Sequence, residues 1–421
     1  MRWQVPAYPW GMAGRCLVLG WVQGKIYGSE RDMASGDIKE LLGLTKMYEA
    51  ATRLYSELPY RYMSNGFSFP AWHYYLEVTR RCNLRCKMCQ YIEWLENVPI
   101  KQQMEGELST DEWHDVIRQI QSWSLITFTG GEAFVRKDFE EILTHASRKA
   151  RTHFISNTTM MPEDRAERVV GLAPKRLGGI GFNFAGTSIE GPGERHDEIR
   201  KMRGAWDRSM AGIRALRKHR EASGKACPMI HVTTVLQQDN VDVLHHMPKL
   251  MAEVGVDVLN LVTESRMFEL PDLGDVDPQI YNTEEIAWPR IDREQLNEAL
   301  DRTHDEAKRW GVELRMPRMP REELLNYYDT GVNLKDYECR NAWNTLIIGR
   351  QGNAYPCWIR KIGNVKEHSL KELWNNAIIR DFRQTCQKKL FAPCPGCCFL
   401  EHKETRDAKV AQATPKAATV S

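Results

Sequence analysis

Three cysteines lie close together in "CNLRCKMCQY", the segment from Cys82 to Tyr91. Cys82, Cys86 and Cys89 have the spacing CxxxCxxC, so their thiolates can all point into one loop. Soft sulfur ligands select iron-sulfur clusters, zinc or copper. Three ligands leave one position of a cuboidal iron cluster open, whereas an electron-transfer ferredoxin fills all four with cysteine. An open position can bind a substrate or cofactor directly.

A zinc knuckle is the alternative for this first group of cysteines. Structural zinc sites are tetrahedral and need four ligands. No fourth cysteine follows Cys89 within the next thirty residues. The spacing therefore favours an iron-sulfur cluster over zinc.

A second group of cysteines lies near the end of the chain and consists of Cys339, Cys357, Cys386, Cys394, Cys397 and Cys398. The chain has 11 cysteines, an odd number, and most of them are clustered. Without a recognisable signal peptide, such clustering favours metal ligation over disulfides. Cys16 and Cys227 stand alone, and a solitary cysteine is usually a small buried hydrophobic residue.

The elements that must position these cysteines alternate from residue 73 onward. Six β-branched or aromatic runs each precede a helical pattern: "HYYLEVT", "LITFTG", "THFISNT", "GIGFNFAG", "MIHVTTVL" and "VDVLNLV". Six strand-then-helix units in series predict an α/β fold of parallel strands with right-handed crossovers. Ligands bind at the carboxyl ends of such strands. The first cysteine group follows the first strand within a few residues, where chemistry is expected.

The cysteine motif resembles the signature of the radical S-adenosylmethionine (radical SAM) superfamily, CxxxCxΦC. Met88 is the apolar residue Φ, and the resemblance implies that it contacts the cofactor. The resemblance implies a partial (β/α)6 TIM-like barrel. It also implies a 4Fe-4S cluster whose fourth iron chelates the amino and carboxylate groups of S-adenosylmethionine (SAM). One electron then cleaves SAM and yields a 5′-deoxyadenosyl radical.

Two further segments support the resemblance. "TGGEAF", after the second strand, is similar to the family's GGEP segment, which implies that Gly130, Gly131 and Glu132 face the SAM amino group. A glycine pair lets the backbone approach closely. "ISNTT", after the third strand, resembles the family's TNG segment and places Ser156 and Asn157 near the ribose or methionine part of SAM.

The segment after the fourth strand, "TSIEGPGERHDEIR", resembles the S[IL]DGxxxxHDxxR run of family members with auxiliary clusters. Ser188 and Arg200 match the positions expected to bind the SAM carboxylate, and Glu190 replaces the usual Asp. A guanidinium fork suits a carboxylate. Glu264 and Arg266 follow the sixth strand, so they are candidates for substrate contact; a surface ion pair is the alternative.

"CRNAWNTLIIGRQGNAYPCW" contains Cys339, Gly352 and Cys357 and resembles the opening of the SPASM and twitch auxiliary-cluster modules. The resemblance implies an auxiliary 4Fe-4S cluster, with Cys394 and Cys397 as the third and fourth ligands. A zinc ribbon is the alternative, because CxxC pairs serve zinc equally well.

Cys386 and Cys398 remain alternative auxiliary ligands. A complete SPASM module usually has seven cysteines and two auxiliary clusters, whereas this chain offers six. One auxiliary cluster is therefore the prediction.

The chain is expected to have four parts. These are an irregular stretch and helix (1–70), the barrel (71–320), the auxiliary module (321–402) and a disordered tail (403–421). Met33 is an alternative start of the native protein.

The charge of the chain gives no case for a nucleic-acid or membrane-surface protein, because 58 Lys and Arg nearly balance 56 Asp and Glu. No apolar run approaches the roughly 20 residues that span a bilayer. We therefore predict a cytoplasmic protein that recognises its substrate in a pocket. A flavodoxin- or ferredoxin-type protein is the expected electron donor.

The expected reaction is hydrogen abstraction from a C–H bond of a small metabolite or natural-product intermediate. Net oxidation, dehydrogenation or epimerisation would follow, with the auxiliary cluster assisting. A maturase that crosslinks or epimerises a ribosomally made peptide is one alternative. A non-catalytic iron-sulfur electron carrier or redox sensor is another. Trp358 stands where sulfatase-maturing enzymes carry an acidic base, which disfavours that activity.

Overall fold

The computed structural model describes residues 51–265 and 289–405. The predictions for Cys16, Met33 and Arg266 lie outside the described residues, as do those for most of the N-terminal part and the tail.

The strands are β1 (His73–Thr79), β2 (Leu125–Gly130), β3 (Arg151–Ser156), β4 (Gly181–Ser188), β5 (Met229–Leu236), β6 (Val258–Thr263), β7 (Glu313–Arg315), β8 (Tyr337–Glu338), β9 (Thr345–Ile348), β10 (Asn353–Tyr355), β11 (Gly363–Asn364) and β12 (Glu401–His402). The helices span 51–62, Ile92–Asn97, Ile100–Gln103, Thr110–Gln119, Phe139–Lys149, Glu163–Gly171, Glu194–Arg200, Ala205–Ala222, Met247–Val254, Arg293–Trp310, Arg321–Tyr328, Leu370–Trp374 and Ala377–Lys388.

The six predicted strand-then-helix units are confirmed. Strands β1 to β6 are neighbours in chain order, and every adjacent pair is parallel. The sheet order β11-β10-β9-β1-β2-β3-β4-β5-β6-β7 extends this array at both ends. β7 pairs in parallel with β6, and β9 with β1.

The C-terminal strands continue the barrel sheet. β9 lies along β1, with His73 opposite Thr345 and Leu76 opposite Ile348. β10 and β11 follow as antiparallel strands. An edge strand exposes unpaired backbone N–H and C=O groups. The hairpin of β9 and β10 pairs with the backbone N–H and C=O groups along the edge of β1. β1 is the strand that leads into the first cysteine group.

The two faces of the sheet differ in burial. On β1, Tyr74, Leu76 and Val78 pack in the main hydrophobic core with the helices. His73 and Tyr75 alternate with them and are half-buried. We call this second side the inner face of the sheet. Ile155 on β3 is on the inner face and remains 37% exposed, so the inner face is accessible to small molecules.

Local signals explain the helix that precedes β2. Ser109 caps the helix Thr110–Gln119: its side chain accepts from the Glu112 backbone N–H, and the Glu112 side chain accepts from the Ser109 backbone N–H. This capping box is a common signal for helix initiation. Trp113 and Ile117, four positions apart on one helix face, are fully buried. The helix therefore packs its apolar stripe against the sheet.

Candidate active site

The loop after β1 brings Cys82, Cys86 and Cys89 together. Cys86 is buried, and the other two are half-buried. Backbone hydrogen bonds run from Cys89 N to Cys86 O (3.1 Å) and from Lys87 N to Ile199 O (2.9 Å). The loop is thus closed on itself and anchored to the helix Glu194–Arg200.

The surroundings of these thiols fit an iron-sulfur cluster. Backbone N–H groups of Leu84 and Tyr91 donate to the sulfurs of Cys82 and Cys89, each at 3.4 Å. Burial raises the pKa of Cys82 to about 12 and also raises that of Cys89. A thiolate in this loop therefore needs compensating positive charge, which a bound metal centre supplies.

Met88 lies beside the three thiols. It packs with Leu84, Ala205 and Met202 in a small apolar cluster that also contains the three cysteines. Such an apolar shell limits solvent access to a metal centre. Its predicted contact with SAM stays a prediction.

Gly130 and Gly131 lie directly against the base of the cysteine loop. A Cβ on Gly130 would come within 1.9 Å of the Thr79 carbonyl oxygen, and Gly130 has a φ of +135°. A Cβ on Gly131 would lie 2.3 Å from the carbonyl oxygens of both Arg80 and Arg81. The Gly131 N–H donates to Thr79 O at 2.8 Å. Both positions need glycine because the backbone leaves no room for a side chain.

We expect Gly131→Ala to lower the free energy of unfolding by about 3 kcal/mol, the upper range for overpacking, because the clashing atoms are backbone carbonyls. The variant should also bind less iron, since the cysteine loop must move. Thermal unfolding and iron content per chain would measure both effects. Gly171→Ala is the matched control, because a Cβ there meets nothing within 4 Å. A Gly131→Ala protein with wild-type stability and iron content would contradict this packing.

Glu132 is fully buried and holds two other predicted site residues. Its carboxylate accepts from Ser156 Oγ at 2.9 and 3.1 Å, from Asn157 N at 2.8 Å and from Phe134 N at 3.2 Å. Burial raises the pKa of Glu132, and these hydrogen bonds oppose the shift. The structure thus brings Glu132, Ser156 and Asn157 together. The predicted contact of Glu132 with the SAM amino group stays a prediction.

Asn157 faces the cysteine loop. Its side-chain amide N lies 3.9 Å from the sulfur of Cys82 and donates to Asn83 Oδ1 at 3.0 Å. The next residue, Thr158, has a φ of +56°, in the left-handed region. A β-branched residue there is strained by roughly 1–3 kcal/mol, and such strain clusters at functional sites. Asn157 is therefore held in position by the residues around it.

Arg200 connects the cysteine loop to a buried carboxylate. It is only 8% exposed. Its Nη1 lies 3.4 Å from the sulfur of Cys86, and its Nη2 donates to Glu190 Oε1. Burial alone would lower the pKa of Arg200, but Cys86 and Glu190 raise it, so the guanidinium stays charged. The motif placed Arg200 at this site, but its pairing with Glu190 and Cys86 was not predicted.

The other predicted contacts are placed as follows. Ser188 ends β4 on the inner face and is half-buried. Glu264 is buried directly after β6: its N–H donates to Tyr328 Oη at 3.0 Å, and its carbonyl accepts from Tyr327 Oη at 2.5 Å. Glu264 is 7% exposed, and its predicted contact with the substrate stays a prediction. Arg266 lies outside the described residues.

The six C-terminal cysteines share one neighbourhood. Cys357, Cys386, Cys394 and Cys397 all pack against an aromatic cluster that includes Trp343, Phe382 and Phe391. Burial raises the pKa of Cys386, and Cys339, Cys357 and Cys394 raise it further. The neighbouring Cys398 thiol and burial raise the pKa of Cys397. Cys386 and Cys398 thus lie beside the four predicted ligands, and which of the six thiols bind the auxiliary cluster stays a prediction.

Iron-sulfur clusters are held by cysteine thiolates. Within residues 51–265 and 289–405, no three His, Cys, Asp or Glu side chains converge as they would on one metal ion. The backbone N–H of Phe391 donates to Cys394 Sγ at 3.3 Å. Such donors tune the potentials of iron-sulfur centres.

The auxiliary cysteines adjoin the carboxyl end of β6. Thr263 Oγ1 donates to the Gly396 carbonyl at 2.9 Å, and Gly396 lies between Cys394 and Cys397. Phe399 contacts Tyr75 on the inner face, with ring centroids 5.7 Å apart. The C-terminal module thus reaches the same edge of the sheet as the first cysteine group.

Sequence reasoning missed Glu77, which is fully buried on β1. Its carboxylate accepts from Tyr91 Oη at 2.6 Å and from Arg80 Nε at 3.2 Å. Gly349, in the turn between β9 and β10, lies against the same carboxylate. The signal in the sequence was an acidic residue within a predicted buried strand. Because a buried charge requires a partner, such a residue indicates a buried polar site.

Within the described part of the chain, no helix is both long and apolar enough to cross a membrane.

Two family models match the chain. Residues 76–261 match the Radical SAM superfamily, and residues 339–398 match SPASM, an iron-sulfur cluster-binding domain. Together the matches span more than half of the chain. They contain the first cysteine group and all six C-terminal cysteines, and the second match favours an iron-sulfur cluster over a zinc ribbon.

The relatives include two proteins from Methanosarcina barkeri. One is named AdoMet-dependent heme synthase, with 24% identity over 369 residues, covering 82% of this chain and 95% of that protein. The other is named Fe-coproporphyrin III synthase, with 34% identity over 139 residues, covering 32% of this chain and 31% of that protein.

Among solved structures, the chain resembles Streptococcus suis SuiB bound to the precursor peptide SuiA. The TM-score is 0.56 at 15% identity, covering 88% of this chain and 78% of SuiB. At this identity the likeness shows the fold alone, and it confirms the predicted α/β architecture.

Proposed function

Because the chain belongs to the radical SAM superfamily and carries a C-terminal SPASM domain, we propose that it abstracts a hydrogen atom from a C–H bond of a carboxylate-bearing tetrapyrrole. The radical SAM domain uses a 4Fe-4S cluster and SAM, and the SPASM domain carries auxiliary iron-sulfur chemistry. The observation that carries the tetrapyrrole class is the Methanosarcina barkeri heme synthase, 95% of which aligns with this chain.

We assign Cys82, Cys86 and Cys89 as the residues that would hold the first cluster. A 4Fe-4S cluster there would supply one electron for cleavage of SAM to methionine and, with the substrate hydrogen atom, 5′-deoxyadenosine. A low-potential flavodoxin- or ferredoxin-type protein would supply the electron. Net oxidation requires that a second electron leave the substrate, for which the auxiliary cluster is the proposed acceptor.

The protein's own residues bind and orient the reactants. Arg200 keeps a positive charge beside Cys86, where it favours the SAM carboxylate. Glu132 fixes Ser156 and the Asn157 backbone, so the edge of the sheet next to the cysteine loop is preorganised. Met88 and Met202 cover the thiols with apolar side chains, which keep water away.

The inner face of the sheet provides the substrate surface. Tyr75, Phe184 and Ile155 supply apolar area there, and all three retain access to solvent. Phe399 brings the C-terminal module to the same surface. A broad apolar surface with a few polar groups is typical of cofactor-sized ligands.

Incubation of the reduced, iron-loaded protein with SAM and Fe-coproporphyrin III tests the proposed function. We expect 5′-deoxyadenosine to form faster with the tetrapyrrole than without it, by at least about tenfold, because a positioned substrate commits SAM cleavage to productive turnover. Mass spectrometry should show a tetrapyrrole product in matching amount.

Three other outcomes are informative. Formation of 5′-deoxyadenosine with no change in the tetrapyrrole would reject this substrate class and return attention to other metabolites. Turnover of a precursor peptide instead would favour the maturase alternative. No 5′-deoxyadenosine under any condition, at full iron content, would favour an electron carrier.

A further inference from the structure

Four polar side chains on the inner face have hydrogen-bonding atoms without a partner among the described residues. The Nε2 atom of His153 is buried and accepts or donates no hydrogen bond. Among the described residues, no hydrogen bond or ion pair engages the side chains of His231, Asn260 and Arg315. Buried polar atoms such as His153 Nε2 are normally hydrogen-bonded, whereas His231, Asn260 and Arg315 are half-buried. We call these four residues the inner-face polar row.

The row runs diagonally across neighbouring strands, and by sheet register it steps two residues toward their carboxyl ends between His153 and His231 and again between His231 and Asn260. Gly186 on β4 lies between the two histidines: a Cβ there would be 2.7 Å from His231 Nε2 and 2.8 Å from His153 Nε2. Both imidazoles therefore point toward the same place above Gly186. The rings of His153 and His231 have centroids 4.9 Å apart. Asn260 on β6 pairs in register with Arg315 on β7.

The orientation of His153 is determined by its second nitrogen. Nδ1 lies 3.0 Å from Thr127 Oγ1, which in turn lies 2.7 Å from His73 Nε2. This chain of hydrogen bonds leaves Nε2 as the group directed at the inner face. The row is therefore held in place by the strands beneath it.

Arg315 alternates along β7 with Leu314, which packs against the main core, so its side chain lies on the opposite, inner side. Burial and the Arg315 charge lower the pKa of His231 to about 4, and burial with neighbouring His231 and His73 lowers that of His153 well below its usual value. Near neutral pH the imidazoles are uncharged, and Arg315 is the cation.

Two carboxylates need to be considered as partners of Arg315. Glu313 lies two residues earlier on β7, but within the described residues it forms no ion pair with Arg315. Glu77 is already bonded to Arg80 and Tyr91. Within residues 51–265 and 289–405, Arg315 thus has no carboxylate partner.

We propose that the inner-face polar row binds a carboxylate group of the substrate. A guanidinium matches a carboxylate in charge and shape, and neutral imidazole and amide N–H groups complete its hydrogen bonds. As a statement about substrate recognition, the proposal rests on the proposed function. His153, at one end of the row, lies four residues before Asn157, about 13 Å along the strand at about 3.3 Å per residue. Arg315, at the other end, pairs in register with Asn260.

The first test measures binding to the iron-loaded protein by absorption titration. Fe-coproporphyrin III and its tetramethyl ester are compared on wild type, Arg315→Gln and the control Arg214→Gln, an exposed arginine of the helix Ala205–Ala222. We expect Arg315→Gln to bind the acid about 10- to 100-fold more weakly. The ester should bind wild type and Arg315→Gln alike, and Arg214→Gln should match wild type.

Equal loss of acid and ester binding in Arg315→Gln would overturn the proposal, as would no loss at all. If wild type binds neither tetrapyrrole, the proposed substrate class fails, but the anion site is tested separately.

The second test measures how fast phenylglyoxal modifies arginine side chains. Peptide mass spectrometry gives the modification rate at Arg315 and at Arg214. Propionate should slow the reaction several-fold at Arg315 alone. An unchanged rate at Arg315 overturns the anion site whatever the tetrapyrrole result.

Discussion

Cys86→Ala should reduce 5′-deoxyadenosine formation from SAM by on the order of 10³-fold or more, as expected for one member of a unit that acts together. Cys86 is the buried member of its group and also lies 3.4 Å from Arg200 Nη1. Loss of the Cys86 thiol leaves two thiolates in the loop, and the buried Arg200 guanidinium loses its sulfur partner. Chromatographic quantification after anaerobic reconstitution and reduction measures the product.

Cys227→Ala is the matched control, because Cys227 is also fully buried but lies in the main core. It should keep its iron and its activity. Iron analysis should show that Cys86→Ala loses iron while the C-terminal site remains loaded. A Cys86→Ala protein that forms 5′-deoxyadenosine at the wild-type rate would exclude the assigned three-cysteine site.

Arg200→Gln should lower the free energy of unfolding by about 3–5 kcal/mol, because removing one partner leaves Glu190 as an unpaired buried charge. Glu190 is 1% exposed, and besides Arg200 its carboxylate accepts from Val235 N at 2.9 Å. A neutral Glu190→Gln/Arg200→Gln pair should recover most of the stability, since the two sites interact directly. Thermal unfolding of both variants measures the coupling.

SAM affinity separates the structural role of Arg200 from its predicted binding role. Equilibrium dialysis should give the folded double variant a Kd for SAM that is about 10- to 100-fold higher than that of wild type. This change corresponds to the free energy that hydrogen bonds to a charged group contribute to binding. Arg195→Gln is the control on the same helix, because Arg195 forms a half-exposed pair with Asp242 at 2.7 Å; surface pairs are worth about 1 kcal/mol or less. Unchanged SAM binding in the double variant would exclude Arg200 as a SAM ligand.

Much of the fold could be predicted from local patterns. The segments "HYYLEVT", "LITFTG" and "MIHVTTVL" coincide with β1, β2 and β5. Strand alternation and helix caps depend on neighbours in the chain, so one sequence is enough to find them. The cysteine spacing and the GGE segment also indicated the family that the models match.

The partners of the site residues could not be predicted in the same way. Arg200 contacts Cys86, which is 114 positions earlier in the chain. Cys386 was one alternative among six thiols, and only the packing of its helix places it beside Cys339 and Cys357. Such contacts depend on how separate elements pack.

The sequence by itself determined the α/β architecture, the two cysteine groups and the chemistry they support. Only the tertiary structure placed β9 against β1, the C-terminal module against β6, and His153, His231 and Arg315 on one accessible face. The physical reason is that secondary structure and ligand spacing follow local periodicity. Side chains from distant strands become neighbours only through sheet register and packing.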